Sequence, residues 1–186
     1  SLHDALPIFK QYHLRKESDF YPKLQFANLI NKLPDNSDIL FVLGEIDCRE
    51  GILVGVQKDA YENIRQGMEQ TINHFGLILP NLLKKRKMNI FIHPVLPMLQ
   101  ETRGMVIEFN NYYKKHINAM NTKLDDDYQI KWLDFFDQLI ENSNGADKGQ
   151  GQGEKQLRKG LRMDGTHITP GYVALIEAAM HSIDAD

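Results

Sequence analysis

Two spacings of apolar residues alternate along the chain and predict alternating strands and helices. Short apolar runs between turn residues are typical of strands buried on both faces, whereas apolar residues every three or four positions indicate one face of a helix. The strand pattern occurs at 38–44, 89–93 and, with looser alternation typical of a sheet edge, 128–135. The helical pattern occurs at 24–33, 59–87, 103–124 and 171–183.

Two interruptions refine these boundaries. Gly76 and Pro80 fall inside the longest helical segment, so we expect a kink or break near Leu79. Residues 142–160 are rich in Gly, Gln, Asn and Lys and predict a mobile surface loop.

The strict alternation predicts an α/β fold, in which a parallel sheet carries helices on both faces. The 186 residues, 42% of them hydrophobic, suit one domain. We assign this domain to 21–186 and leave 1–20 unassigned. Residues 1–8 resemble translated adapter sequence, although an ordinary trimmed terminus is the alternative; either way we expect an N-terminal piece to be missing.

Composition excludes several functional classes. The net charge is −3, and no basic stripe with interleaved aromatic residues suggests nucleic acid. No apolar run approaches the roughly 20 residues that span a bilayer. The single Cys48 cannot form an internal disulfide and leaves the compartment undetermined. The histidines show no metal-ligand spacing, and no cofactor is implied.

The most informative segment runs from Asp164 to Gly171 and reads Asp-Gly-Thr-His-Ile-Thr-Pro-Gly. Thr169 and Pro170 suit the start of a helix, so Asp164 and His167 lie on the turn before it. An Asp three residues before a His can hold the imidazole by Nδ1 and leave Nε2 as a general base. A capped helix beside an exposed histidine is the structural alternative.

The segment Asp164-Gly-Thr-His167-Ile-Thr closely resembles block V of the SGNH (GDSL-like) ester hydrolases, which supplies the Asp and His of a Ser-His-Asp triad. Gly44-Glu-Ile-Asp47, after a predicted strand, is similar to block III, Gly-x-Asn-Asp. With the order of elements, the resemblance covers about 24–183. It implies a three-layer, flavodoxin-like fold and a reaction in which Asp164 orients His167.

The sequence departs from that family in two ways. Ile46 stands where block III has an Asn that donates to the oxyanion; Arg49 or a backbone amide are conceivable substitutes. The Gly-Asp-Ser of block I is absent, so we expect the nucleophilic serine and the first strand to precede this chain. The strand at 38–44 would then be a free edge, open to self-association.

Weaker candidates gather at the ends of the first two strands. Gly44, Glu45, Asp47 and Arg49 form the expected substrate or oxyanion region, or else a local ion-pair network. His93 ends the second strand at the rim of the expected cleft, with a structural role as the alternative. Cys48 is interpreted as a small core residue rather than as a nucleophile.

The sequence therefore predicts an ester hydrolase or acyl transferase of the SGNH type that lacks its serine here, acting on a small-molecule, glycan or lipid ester. Two alternatives stay open. One is an inactive SGNH-like binding or carbohydrate-modifying module, favoured by Ile46. The other is an unrelated flavodoxin-like ligand binder. The sequence argues against a nucleotide or flavin ligand, because no glycine-rich phosphate loop follows any predicted strand.

Overall fold

The structure is a computed structural model that describes residues 9–142, 155–164 and 167–184. Within those residues the chain forms a mixed α/β fold. Its α-helices are α1 (Tyr21–Lys32), α2 (Ile52–Gln57), α3 (Ile64–Gly76), α4 (Leu79–Arg86), α5 (Arg103–Asn121), α6 (Phe136–Leu139) and α7 (Val173–Asp184). Its strands are β1 (Asp38–Phe41), β2 (Asn89–Ile92), β3 (Ile130–Trp132), β4 (Ile140–Asn142) and β5 (Lys155–Leu157).

The central sheet contains three parallel strands in the order β1-β2-β3. Because all three run the same way, their carboxyl ends meet at one edge, which is where open α/β sheets bind ligands. The β1 strand lies at one side of this sheet, and among the described residues it pairs only with β2. The parallel sheet and the edge positions of β1 and β3 within the described residues are as the sequence predicts.

Alternate residues of β2 enter two different cores, because successive side chains point to opposite faces of a sheet. Ile90 and Ile92 pack with α1, α3, α4 and α5, and Phe91 packs with α6, α7 and the β4–β5 hairpin. The sheet thus carries helices on both faces, as predicted.

The long periodic segments form helices close to the predicted bounds. The segment 59–87 divides into α3 and α4 on either side of Leu77 and Ile78, as Gly76 and Pro80 predict. Three basic residues occupy the last turn of α4, where they complement the helix dipole. The strands are shorter than their apolar runs, since β1 ends at Phe41 and β3 at Trp132.

Three features differ from the sequence prediction. Asp47–Gly51 forms a π-helical turn that leads into α2, where we predicted only a strand end. The predicted loop at 142–160 contains β5 and a 3₁₀ turn at Lys159–Leu161 in its described part. Gln11–Leu14, in the unassigned segment, forms a 3₁₀ turn whose Gln11 and Leu14 are buried. Residues 1–8 lie outside the described residues.

Candidate functional site

A narrow turn brings Asp164 and His167 together. An isolated antiparallel bridge pairs Arg162 with Ile168. The amide of Met163 donates to the carbonyl of His167 at 3.0 Å. Pro170 then occupies the first position of a 3₁₀ turn that runs into α7, with Thr169 as its N-cap residue. The described residues on either side of 165–166 are therefore held in place, and Asp164 and His167 lie next to each other.

The Asp164 carboxylate binds His167 through both oxygens. Oδ1 accepts the backbone amide of His167 at 2.7 Å, and Oδ2 lies 2.8 Å from the ring Nδ1. An ionised carboxylate can only accept, so Nδ1 carries the proton when the imidazole is neutral. That tautomer leaves the lone pair on Nε2, the atom that a general base uses. Both side chains are more than half exposed.

His167 borders a cleft of about 610 Å³ at the carboxyl edge of the sheet. Val42 and Leu43 line it after β1, Leu96 and Met98 line it after β2, and Ile168 and Tyr172 line it beside His167. Glu45 and Arg49 also line it. The structure thus brings three predicted site residues, His167, Glu45 and Arg49, to one cavity. The sequence analysis did not name Met98 or Tyr172 as site residues. Tyr172 could have been found, because it lies in the first turn after the Asp-x-x-His segment.

Glu45 and Arg49 are paired across one helical turn. Glu45 Oε1 lies 3.4 Å from Arg49 Nη1, and the two side chains are 41% and 37% exposed. An ion pair this exposed contributes little to stability. Its significance is chemical, since it sets one cation and one anion on the wall of a cleft whose other lining residues are mostly apolar.

Asp47 has a different environment from Glu45 and Arg49. Its side chain is 1% exposed, and its two oxygens accept the backbone amides of Gln11 at 2.8 Å and Tyr12 at 3.2 Å. Burial raises the pKa of Asp47 to about 6, although the two amides and Lys10 act in the opposite direction. The sequence analysis grouped Asp47 with the expected substrate-binding residues. In the structure its carboxylate holds the 3₁₀ turn at Gln11–Leu14 in place, and Asp47 does not line the cleft.

His93 is buried behind the cleft wall rather than at its rim. It is 1% exposed, its Nδ1 lies 2.6 Å from the carbonyl of Pro94, and its ring meets Phe135 and Tyr172 edge to face. Burial lowers the pKa of His93. Its Nε2 is buried with no hydrogen-bond partner among the described residues. His93 therefore supports Tyr172 from behind.

Gly44 makes the turn out of β1 possible. Its φ of 111° is one that side-chain-bearing residues rarely adopt, and a Cβ there would lie 2.8 Å from Val95 Cγ2. Gly44 thus lets the chain pass close under the loop after β2 before it enters the π-helical turn. Its contribution to the site is to position Glu45 and Arg49.

No serine lines the cleft in the part of the chain that the structure describes. Ser37 donates to the carbonyl of Pro34 and Ser182 to that of Ala179, both in local turns. Cys48 is fully buried in the core, and burial, reinforced by Asp47 and Glu45, raises the pKa of its thiol well above the ordinary value. A thiol in that state is a core residue, not a nucleophile.

Within the described ranges, no group of three or more His, Cys, Asp or Glu side chains is arranged to hold a metal ion. No described helix combines the length and the apolar character needed to cross a membrane.

Comparison with known proteins adds no family. A scan against protein-family models gives no match, and a search of curated proteins gives no significant match.

Proposed function

We propose that this chain carries the His-Asp part of an SGNH-type ester hydrolase or acyl transferase, and that its fold is the three-layer, flavodoxin-like one. The observation that carries the proposal is the Asp164–His167 contact at the edge of the cleft. A buried core histidine or a simple helix cap would not require a carboxylate bound to Nδ1 and a ring that borders a cavity.

In the proposed reaction, His167 Nε2 accepts the proton of a serine hydroxyl as its oxygen attacks the ester carbonyl. The imidazolium is stabilised by Asp164 and then returns the proton to the departing alkoxide. Water, or an acceptor alcohol in the transferase case, repeats the steps and releases the acyl group. We propose that the nucleophilic serine is supplied from outside the described residues, since none of their serines lines the cleft.

Arg49 is the proposed source of positive charge near the developing oxyanion, because it lines the cleft together with His167. The side chain of Ile46 cannot take that role, since it has no hydrogen-bond donor. Losing an oxyanion donor costs about 2.7–4 kcal/mol of transition-state stabilisation. Ile46 therefore favours the second candidate, an SGNH-like module that binds an ester or a glycan without turning it over.

The test uses the gene product that includes the sequence upstream of Ser1. We expect an upstream Gly-Asp-Ser turn, labelling of its serine by a fluorophosphonate, and ester hydrolysis. His167→Ala and Asp164→Asn should each reduce kcat/KM by roughly 10³-fold or more. The control is His181→Ala, because His181 is an exposed histidine on α7 whose ring lies beside the carbonyl of Glu177 in its own helix.

The competing candidates predict different results. Ester binding without turnover, or an upstream sequence with no such serine, would support the binding module. Hydrolysis by the 186-residue chain alone, abolished by His167→Ala, would contradict the expected position of the nucleophile.

A further inference from the structure

We infer that the cleft takes the acyl part of its ligand as a medium-length aliphatic chain, with the carboxyl end between Arg49 and His167. The inference names the acid component of the proposed ester and so rests on the proposed function. Aliphatic acids, free or esterified, are thus the expected ligands, rather than acetylated sugars.

The composition of the cleft wall supports an aliphatic ligand. Val42 and Leu43 come from the end of β1, Leu96 and Met98 from the loop after β2, and Ile168 and Tyr172 from the segment after His167. These apolar side chains converge from three separate parts of the chain. A cleft of about 610 Å³ lies in the range that holds small organic ligands.

A sugar is a poor match to the same wall. Each buried hydroxyl needs a hydrogen-bond partner, and a buried polar group without one costs about 1–3 kcal/mol. Apart from the Tyr172 hydroxyl, the polar side chains that the described residues place on the wall are Glu45, Arg49 and His167. That set suits one polar group at one end of a ligand and leaves the hydroxyls of a sugar ring unmatched.

The charged residues give the ligand its orientation. Arg49 presents a guanidinium to the cleft, and its 3.4 Å contact with Glu45 uses one of its nitrogens. A carboxylate attracts a guanidinium strongly because the two can form parallel hydrogen bonds. The carboxyl group is therefore expected at Arg49 and His167, and the chain is expected to run along Leu96, Met98 and Tyr172.

The test measures binding, so it does not depend on catalysis. Dissociation constants of acetate, butyrate, hexanoate and octanoate are measured by calorimetry on the 186-residue chain, at a concentration where it is monomeric. Each methylene that enters the cleft should tighten binding about fourfold. An affinity that stays constant from acetate to octanoate would overturn the inference.

Matched variants locate the binding. Val42→Asp should weaken the binding of octanoate at least tenfold, whereas Leu29→Asp should leave its dissociation constant unchanged. Val42 and Leu29 are both exposed apolar residues, at 57% and 62%, but Leu29 lines a different groove, on α1. Arg49→Gln should weaken the binding of all four acids by a similar factor. Octanoate binding lost in Leu29→Asp and kept in Val42→Asp would place the acid on α1 and overturn the inference.

The outcomes separate this inference from the proposed function. Constant affinity along the acid series, combined with loss of hydrolysis in Asp164→Asn, would reject the aliphatic ligand and keep the ester hydrolase. Chain-length dependence without hydrolysis would keep the ligand and favour the binding module.

Discussion

Asp47 and Asp164 are two carboxylates that bind backbone amides, and their surroundings give them opposite roles. Asp164 is half exposed, so it keeps its solvation while it binds His167 through Nδ1. Asp47 is 1% exposed, and burial raises its pKa to about 6. One carboxylate is therefore available to stabilise an imidazolium at the cleft, and the other holds two parts of the fold together.

The raised pKa of Asp47 predicts a pH-dependent stability. The Asp47 carboxyl keeps its proton up to about pH 6 in the folded state, whereas it loses it near pH 3.8 in the unfolded state. The contribution of Asp47 to the free energy of unfolding therefore falls as the pH rises between those values. The loss amounts to about 3 kcal/mol. Asp47→Asn cannot ionise and should escape it. Urea unfolding of both proteins at pH 4 and pH 7 measures the effect.

The informative quantity is the difference in unfolding free energy between Asp47→Asn and the unaltered chain. This difference should shift in favour of the variant between pH 4 and pH 7, because other carboxylates affect both proteins equally. A difference that stays the same at both pH values would show that Asp47 titrates normally.

A second residue-scale prediction concerns Gly44. An added methyl group would meet Val95 at 2.8 Å and Phe109 at 3.1 Å, at a φ of 111°. Gly44→Ala should therefore lower the free energy of unfolding by about 1–3 kcal/mol. Gly104→Ala is the control, since no described residue lies within 4 Å of its added methyl group and Gly104 is in the first turn of α5. That control should be neutral or stabilising, by up to about 1 kcal/mol. Equal effects of the two substitutions would contradict the account of Gly44.

At the element scale, the π-helical turn explains why Glu45, Asp47 and Arg49 separate. Residues four apart share one face of a helix, whereas residues two apart point in nearly opposite directions. The sequence shows the three charges close together but not the helical turn that divides them. That turn and α2 escaped prediction because glycines at 51 and 55 interrupt the helical pattern.

Close packing holds α2 in place instead. A methyl group added to Gly55 would lie 2.5 Å from the ring of Tyr61, and one added to Gly67 would lie 2.8 Å from Ile52. The glycines thus allow α2 and α3 to approach each other around Tyr61. Tertiary contacts of this kind are not encoded in local spacing. The long helices, by contrast, were predictable because their periodicity extends over several turns.

The 3₁₀ turn at Gln11–Leu14 gives an element-scale prediction. It supplies both amides that bind Asp47, it buries Leu14, and the Gln11 side chain donates to the Tyr113 hydroxyl at 3.3 Å. A chain that starts at Arg15 should be less stable than one that starts at Phe9, by at least about 3 kcal/mol, since a buried carboxylate would lose its donors. Chemical unfolding of the two truncated chains measures the difference.

A matched substitution distinguishes the role of Asp47 from that of simple apolar burial. In Asp47→Asn the same truncation should cost less, because no charge is left uncompensated. Equal costs in both backgrounds would mean that the burial of Leu14 and the edge-to-face contacts of Tyr12 with Tyr61 and His74 account for the whole effect.

At the scale of the whole molecule, the sheet is covered unevenly. Among the described residues, α1, α3, α4 and α5 pack on one face, whereas α6, α7 and the short strands β4 and β5 pack on the other. Leu40 is only partly buried there, and Val42 is 57% exposed. The candidate cleft is lined by Val42, so the cleft and the edge strand β1 share one region of the described surface.

The free strand leads to the last prediction, which concerns association of the chain. β1 pairs only with β2 among the described residues, and its Ile39-Leu40-Phe41 run, followed by exposed Val42, has no proline or lysine to prevent pairing with another chain. We expect sedimentation velocity to show concentration-dependent self-association. Val42→Lys should shift the distribution to monomer, and Leu77→Lys should not, although Leu77 is exposed even further, at 74%. Adding an upstream strand should also give a monomer, because it would occupy the same edge. A chain that stays monomeric at high concentration, and unfolds cooperatively, would mean either that the chain itself protects this side of β1 or that the expected first strand does not pair with β1.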